Sequence, residues 1–141
     1  MVNQIFVNLP VKDLEKTKEF WAKLGFSFNP QFTDQNAAAL VIGENIFAML
    51  VVPTFFTRFT KKEIVDAFKS TEAINALGVQ TREEVNQIME KVLGAGGKET
   101  RPPEDYGWMF GRSFEDIDGH QWELVYIDLS KAPTAPNAAA V

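Results

Sequence analysis

The chain has one histidine and no cysteine, and this limits the chemistry it could perform. His120 follows an Asp-Gly turn, and Glu123 lies three residues later on a predicted strand. The lack of cysteine excludes disulfides, thiol nucleophiles, zinc fingers and iron–sulfur clusters. A hydrogen bond that stabilises the turn is the expected role of His120. Glu123 is therefore the candidate catalytic residue, acting as an unaided general base.

Two aromatic residues, Tyr106 and Trp108, flank a glycine after a proline-rich loop. They predict either a lid over a ligand or ordinary packing against a sheet edge or dimer seam. Further along, Arg112 could bind a carboxylate or a phosphate. The sequence contains no phosphate loop, dinucleotide fingerprint or Gly-x-Ser-x-Gly motif.

The composition is that of an acidic globular protein. Its 141 residues suffice for one domain with a core. Fourteen Lys and Arg against 19 Asp and Glu give a net charge of −5, which argues against nucleic-acid binding. No apolar run approaches the length of a membrane span, and no basic region followed by an apolar stretch opens the chain. We therefore expect a cytoplasmic protein without nucleic-acid or membrane partners.

The elements that must position these residues repeat along the chain. Apolar periodicity, caps and turns predict strand, helix and three strands in the first half: 4–9, 14–24, 26–33, 37–42 and 46–52. The same order recurs in the second half: 71–80, 82–93, 98–101, 108–115 and 121–128. The helix caps Asp13 and Thr81 are 68 residues apart, as are Leu9 and Leu77. The sequence therefore predicts an α+β fold of two tandem βαβββ modules.

The domain boundaries follow from this repeat. We expect a single domain over 1–130, with modules at about 3–53 and 70–128 joined by a linker over 54–69. The linker is rich in phenylalanine, and Thr60 could cap a short helix that ends near Phe68. Its aromatic residues predict packing against a second subunit or another partner. The Ala/Pro-rich tail over 131–141 is expected to be mobile.

Three motifs resemble the vicinal-oxygen-chelate superfamily of glyoxalases, bleomycin-resistance proteins and extradiol dioxygenases. They are VNLPVKDLEKTKEFWAKLGF, REEVNQIMEKVLGAGGKE and FEDIDGHQWELV. The resemblance covers residues 3 to about 128. The resemblance implies that each module curls its strands into a cup, with helices outside a cupped mixed sheet, and that two-module chains dimerise.

Family enzymes hold a divalent metal with one ligand near each first strand and one on each last strand. The resemblance places three of these positions at Phe6, Ile74 and Met49. If the register slips by one residue, Ala48 takes the place of Met49. Phenylalanine and isoleucine cannot coordinate, and a thioether suits copper(I) rather than the ions such enzymes use. Glu123 alone remains, whereas catalytic zinc needs about three protein ligands. No cofactor is therefore expected, and a divalent metal is disfavoured.

The same substitutions leave an apolar cup with polar groups at its edge, which suits a small apolar or aromatic molecule. There Glu123 has three predicted roles, as a ligand contact, a hydrogen-bonding group in the cup or the partner of a cation. The predicted ligand-binding residues are Phe6, Asn8, Met49, Ile74, Tyr106, Trp108, Arg112, Gln121 and Glu123.

The resemblance thus favours a metal-independent small-molecule binder that acts as a homodimer, in the manner of the drug-sequestering bleomycin-resistance branch. One alternative is a glyoxalase-like lyase or isomerase with a divergent metal site, similar to lactoylglutathione lyase. Another is an interaction module whose segment 54–68 contacts a partner.

Overall fold

The computed structural model describes residues 1–134, which form two compact units. The first unit contains residues 1–71 and the turn 117–120, and the second contains residues 72–116 and those from 121 onward. Each unit has a four-stranded mixed sheet with a helix packed on one face. The predicted α+β class and the two tandem βαβββ modules are confirmed. Most of the predicted mobile tail, residues 135–141, lies outside the described residues.

The first unit follows the predicted order closely. Its strands pair in the order β1-β4-β3-β2, with β1 parallel to β4 and the other pairs antiparallel. Its elements are β1 (Ile5–Pro10), α1 (Leu14–Lys23), β2 (Ser27–Asn29), β3 (Ala37–Gly43) and β4 (Ile46–Val51).

Local sequence explains where α1 begins and ends. The side chain of Asp13 accepts a hydrogen bond from the Lys16 amide at the N-terminus. Gly25 follows the helix with a φ of 97°, a conformation that glycine adopts without a steric cost. Between them, Leu14, Thr17, Phe20 and Trp21 form the buried face, at the three- and four-residue spacing of a helix stripe.

After a four-residue helix α2 (Pro53–Phe56), the second unit repeats the plan. Its strand order is β5-β8-β7-β6, with β5 parallel to β8. Its elements are β5 (Ile74–Val79), α3 (Arg82–Gly94), β6 (Lys98–Asp105), β7 (Met109–Glu115) and β8 (Gln121–Ile127). The Thr81 side chain accepts from the Glu84 amide, as the cap prediction requires.

Two edge strands differ from the prediction, and prolines explain both. β2 stops at Asn29 because Pro30 begins a 3₁₀ turn over Pro30–Phe32, whose first amide Asn29 caps. β6 instead continues through Pro102 and Pro103 to Asp105, with register shifts on either side of Arg101. Proline is tolerated there because an edge strand has no second neighbour that needs its amide.

The prediction of a helix capped by Thr60 is wrong. The linker helix α2 begins earlier, at Pro53, where proline's fixed φ suits the first helical position. The Thr60 hydroxyl instead accepts from the Lys62 amide two residues on, which closes a tight turn. Within residues 1–134, no helix is both long and apolar enough to span a membrane.

Candidate functional site

Each sheet has one face against its helix and an opposite face that carries most of the predicted site residues. On the first sheet, Phe6 lies opposite Phe47 and Asn8 lies opposite Met49. We call Phe6, Phe47 and Met49 the apolar face, and Asn8 lies beside them. The intervening Ala48 and Leu50 are buried on the α1 side, as the two-residue period of a strand requires.

An aromatic stack dominates the apolar face. The rings of Phe6 and Phe47 are stacked with centroids 5.0 Å apart and planes 11° apart. Phe6 nevertheless keeps 51% of its surface exposed. The Asn8 side chain donates to the carbonyl oxygen of Phe6 at 3.2 Å, so its amide group lies against its own strand. Met49 is half-buried beside them.

Strand register fixes which residues of the two units correspond. Asn8 pairs with Met49 on β4, and Ala76 pairs with Glu123 on β8. Asn8 and Ala76 are offset by the same 68 residues as the helix caps. Met49 is therefore the counterpart of Glu123, and Ala48 faces the opposite side.

The second sheet carries an ion-paired cluster on the face opposite α3. Arg101 contacts the carboxylates of both Glu104 and Glu123. The Tyr106 hydroxyl donates to Glu104 at 2.9 Å and joins the aromatic turn to this cluster. The Glu123 side chain retains 24% exposure. Of the roles predicted for Glu123, the structure shows the partner of a cation.

The same face continues on both sides of the cluster. Register places Lys98, Glu115, Gln121 and Ile74 in one row across the four strands, and Arg101, Ser113, Glu123 and Ala76 in the next. Ile74 is 54% exposed at the edge, and Gln121 is half-buried. We call Lys98, Arg101, Glu104, Glu115 and Glu123 the charged face.

The predicted lid residues form a pinned turn. The rings of Tyr106 and Trp108 are stacked with centroids 6.2 Å apart, on either side of Gly107 at a φ of 81°. Asp105 accepts from the Gly107 amide at 2.9 Å and from both terminal nitrogens of Arg82 at 2.8 and 2.9 Å. Arg82, followed by the Gly107 amide, lowers the pKa of Asp105 to about 2.

Arg112 is not brought together with Glu123. It pairs with Leu124 across the sheet, so its side chain lies on the α3 side. There it donates to both oxygens of Glu99 at 2.8 and 2.9 Å and to Asn86 at 3.0 Å. The hydrogen-bonded pair raises the pKa of Arg112 and lowers that of Glu99. Ligand binding by Arg112 remains a prediction.

The Asp-Gly-His turn belongs to the first unit. Asp118 accepts from the Lys12 amide at 3.1 Å and from the Thr17 hydroxyl at 2.6 Å. The His120 Nε2 lies 2.6 Å from the carbonyl oxygen of Pro10. A small cleft of about 70 Å³ lies beside this turn, but it is lined by none of the predicted site residues.

The donor set does not fit a metal of the family type. Phe6, Met49 and Ile74 occupy three of the four implied positions, and the carboxylate of Glu123 contacts Arg101. Residues 1–134 bring together no three His, Asp or Glu side chains that could hold an ion. Single carboxylates paired with a guanidinium are poor ligands because the cation competes for the same oxygens.

Sequence reasoning missed three residues of these faces: Phe47, Arg101 and Glu104. Phe47 is placed by a parallel pairing whose register has no local signal. Arg101 was foreseeable in kind, because a half-buried carboxylate such as Glu123 needs a cation. The sequence did not identify Arg101 as that cation, because β6 has two register shifts that set which of its residues lies near Glu123.

Known proteins share this architecture. The sequence model of one protein family, the Glyoxalase/Bleomycin resistance protein/Dioxygenase superfamily, matches residues 3–124. A hypothetical protein from S. aureus is similar, with 30% identity and a TM-score of 0.75 over 89% of this chain and 95% of that one. A fosfomycin resistance protein from Listeria monocytogenes is 20% identical, with a TM-score of 0.65 over 89% of this chain and 91% of its own.

A bleomycin resistance determinant encoded on the transposon Tn5 shares the fold at 20% identity and a TM-score of 0.61, covering 91% of this chain and 100% of that chain. No curated protein matches the sequence. Since the family model covers most of the chain, the protein belongs to the Glyoxalase/Bleomycin resistance protein/Dioxygenase superfamily.

Proposed function

We propose that this protein binds a small apolar or aromatic molecule without a metal. The observation that carries the proposal is the half-exposed stack of Phe6 on Phe47, at a position where the family resemblance implies a metal ligand. A stacked aromatic pair presents a flat apolar surface that a second ring can extend. Met49 beside it supplies an adaptable, polarisable contact.

The donor set supports the metal-independent form of this proposal. A bound divalent ion would need several anionic or imidazole ligands, and Glu123 is the one such group at the four implied positions. Its pairing with Arg101 gives that carboxylate a different partner. We therefore derive no chemical step through a metal.

Similar folds give this proposal a precedent. One structural neighbour is described as a bleomycin resistance determinant and another as a fosfomycin resistance protein, and both names refer to small molecules. The Listeria protein is also described in complex with Mn(II) and sulfate. The experiment must therefore distinguish metal-independent binding from a metal-dependent function. We place the function in the cytoplasm.

Binding of tryptophol, an uncharged indole alcohol, tests the proposal. The full chain is treated with EDTA, and affinity is measured by calorimetry. Phe6→Ala is expected to weaken binding about tenfold, because it removes the stacked ring. Phe32→Ala is the matched control, since Phe32 is 61% exposed in the same unit but lies on the 3₁₀ turn.

Two results would count against the proposal. Equal losses in Phe6→Ala and Phe32→Ala would show that the apolar face is not the site. Stoichiometric Ni, Zn, Mn or Fe in the purified protein, with binding abolished by EDTA, would favour the lyase or isomerase instead.

Homodimer formation is a separate part of the proposal. β1 is an edge strand of the first sheet, and its Ile5 is 55% exposed next to Ile46 at 48%. Exposed apolar edges favour association with another chain. Light scattering at micromolar concentration should give the mass of a dimer, and the mass of a monomer there would contradict this part alone.

A further inference from the structure

The residues around the apolar face indicate which charge its ligand carries. Two rows of paired residues cross the first sheet on this side, and all their side chains are uncharged. The rows consist of Phe6, Phe47, Val41 and Ser27, and of Asn8, Met49, Ala39 and Asn29. A charged group placed against them would lose hydration without gaining a counter-charge. The face therefore favours an uncharged ligand.

Asn8 is the polar residue that follows the aromatic stack along β1. It lies two residues beyond Phe6, so the two side chains are on the same side of the sheet and roughly 7 Å apart along the strand. Asn8 is exposed, as Phe6 is. A ring that stacks on Phe6 can therefore bring a substituent at its edge to the Asn8 amide.

A hydrogen bond fixes the orientation of this amide. The Asn8 Nδ2 donates to the carbonyl oxygen of Phe6 at 3.2 Å. Because the acceptor is itself an oxygen, turning the amide over would set two acceptors against each other. The NH₂ end thus faces the strand, and Oδ1 remains as an acceptor. Within residues 1–134, no protein donor contacts this oxygen.

The amide at the other end of the same row has a local structural role. Asn29 pairs with Ala39 on β3, and its Oδ1 accepts from the Gln31 amide at 3.0 Å. That oxygen holds the start of the 3₁₀ turn, which accounts for asparagine at this position. The Asn8 oxygen has no comparable local partner in the described part of the chain. It is available to a ligand beside the aromatic stack.

We propose that Asn8 is a specificity-determining residue that makes the apolar face select uncharged aromatic molecules with a hydroxyl or N–H donor. This inference rests on the proposed function, to which it adds the chemical class of the ligand. The ring packs on Phe6, and its donor binds Oδ1 of Asn8. The amide keeps its own bond to the Phe6 carbonyl, so one hydrogen bond is gained and none is lost.

A ring that lacks the donor binds less well for a physical reason. When the donor nitrogen or oxygen is methylated, the methyl group lies against Oδ1 of Asn8. It makes no hydrogen bond there, and it keeps water away from the oxygen. Leaving an acceptor without a partner costs free energy that the donor-bearing ring does not lose.

Three indole probes test the inference on the full chain in the presence of EDTA. Indole has an N–H donor, N-methylindole has none, and indole-3-acetate keeps the donor but is anionic. We expect calorimetry to show indole binding about fivefold more tightly than N-methylindole, the effect of one exposed hydrogen bond. Indole-3-acetate should bind more weakly than indole, because the two rows hold no cation for its carboxylate.

Two substitutions assign the donor preference to Asn8. Asn8→Leu is similar in size but has no polar side-chain atom, and it should remove the advantage of indole over N-methylindole. Asn8→Ser keeps a hydroxyl acceptor and should retain part of that advantage. The control is Asn45→Leu, which makes the same change at an exposed position between β3 and β4 and should leave the preference unchanged.

The outcomes separate this inference from the proposed function. Equal binding of indole and N-methylindole overturns the role of Asn8, as does a preference that Asn8→Leu and Asn45→Leu change equally or not at all. Binding of indole-3-acetate as tight as that of indole overturns the selection for uncharged ligands. In these cases the apolar site stands if Phe6→Ala still weakens tryptophol binding. No binding of any indole probe, tryptophol included, contradicts both proposals.

Discussion

In the first module the buried tryptophan of the core lies on the helix, and in the second it lies on a strand. Trp21 on α1 corresponds by the 68-residue offset to Met89 on α3, and Ala48 on β4 corresponds by register to Trp122 on β8. All four side chains are at most 1% exposed. Each module thus places its tryptophan at one of these two positions and a smaller residue, alanine or methionine, at the other.

The faces opposite the helices differ in another way. The first carries Phe6, Phe47 and Met49, and the second carries Arg101, Glu104 and Glu123. A single backbone plan therefore supports an apolar surface in one module and a charged surface in the other. The helix side of each sheet is therefore apolar and buried in both modules, whereas the opposite side differs in chemistry.

The largest expected effect comes from the swapped core residues. Trp122→Ala should lower the free energy of unfolding by about 3–5 kcal/mol, because it leaves a cavity the size of an indole. Adding Met89→Trp copies the arrangement of the first module and should recover part of the loss. Urea unfolding measures both changes. A loss under about 1 kcal/mol for Trp122→Ala, or no recovery in the double variant, would contradict the exchange of volume.

A smaller effect is expected where the first module is polar and the second is not. Thr17 corresponds to Val85, and both are buried, but the Thr17 hydroxyl donates to Asp118 at 2.6 Å. Asp118→Ala should cost about 1–3 kcal/mol, because it leaves that hydroxyl without this acceptor. In a Thr17→Val background the same change should cost less. A double-mutant cycle with no coupling would show that the bond does not stabilise the fold.

A smaller gain in stability is expected from filling the open space beside Gly78 on the second sheet. Gly78 corresponds to Pro10 of the first module, so only the second module lacks a side chain there. Gly78→Val should stabilise the protein by roughly 0.5–1 kcal/mol, because valine favours a strand. Urea unfolding measures the change. A lower free energy of unfolding for Gly78→Val would show that this strand position does not accept a side chain.

The smallest effect concerns acid pH and the turn at Tyr106. Arg82 lowers the pKa of Asp105 in the folded protein to about 2. The interaction between the two residues therefore stabilises the fold above the ordinary pKa of Asp105, and this stability is lost as the pH falls toward 2. Arg82→Gln should return the pKa of Asp105 toward its ordinary value of 3.8. Carboxyl NMR titration measures this directly, and an unchanged value would show that Arg82 does not hold the turn.

Local signals were enough to predict α1 and α3, but not the short linker helix α2. Asp13 and Thr81 cap their helices through side chains only three residues from their partners, and Gly25 marks a backbone conformation that favours glycine. The repeat then gave the module plan. β6 was predicted too short because the rule that proline ends a strand applies inside a sheet, and Pro102 lies on an edge.

Site residues were harder to predict because they depend on pairing between distant strands. The stack of Phe6 on Phe47 needs a parallel register, and the contact of Arg101 with Glu123 needs a strand with two shifts. Arg112 was grouped with Glu123 from residue type alone, whereas adjacent rows of the sheet point their side chains to opposite faces. The family resemblance supplied the positions of Phe6, Met49, Ile74 and Glu123, which periodicity alone could not.

The most direct test of metal-independent binding is an NMR titration of the methyl groups of methionine and isoleucine with tryptophol in the presence of EDTA. The proposal predicts that the Met49 methyl signal shifts with the added probe, that the buried Met89 signal stays in place, and that Phe6→Ala reduces the Met49 shift. The proposal would be contradicted if Met49 stayed unchanged in EDTA and responded only after a divalent metal was added.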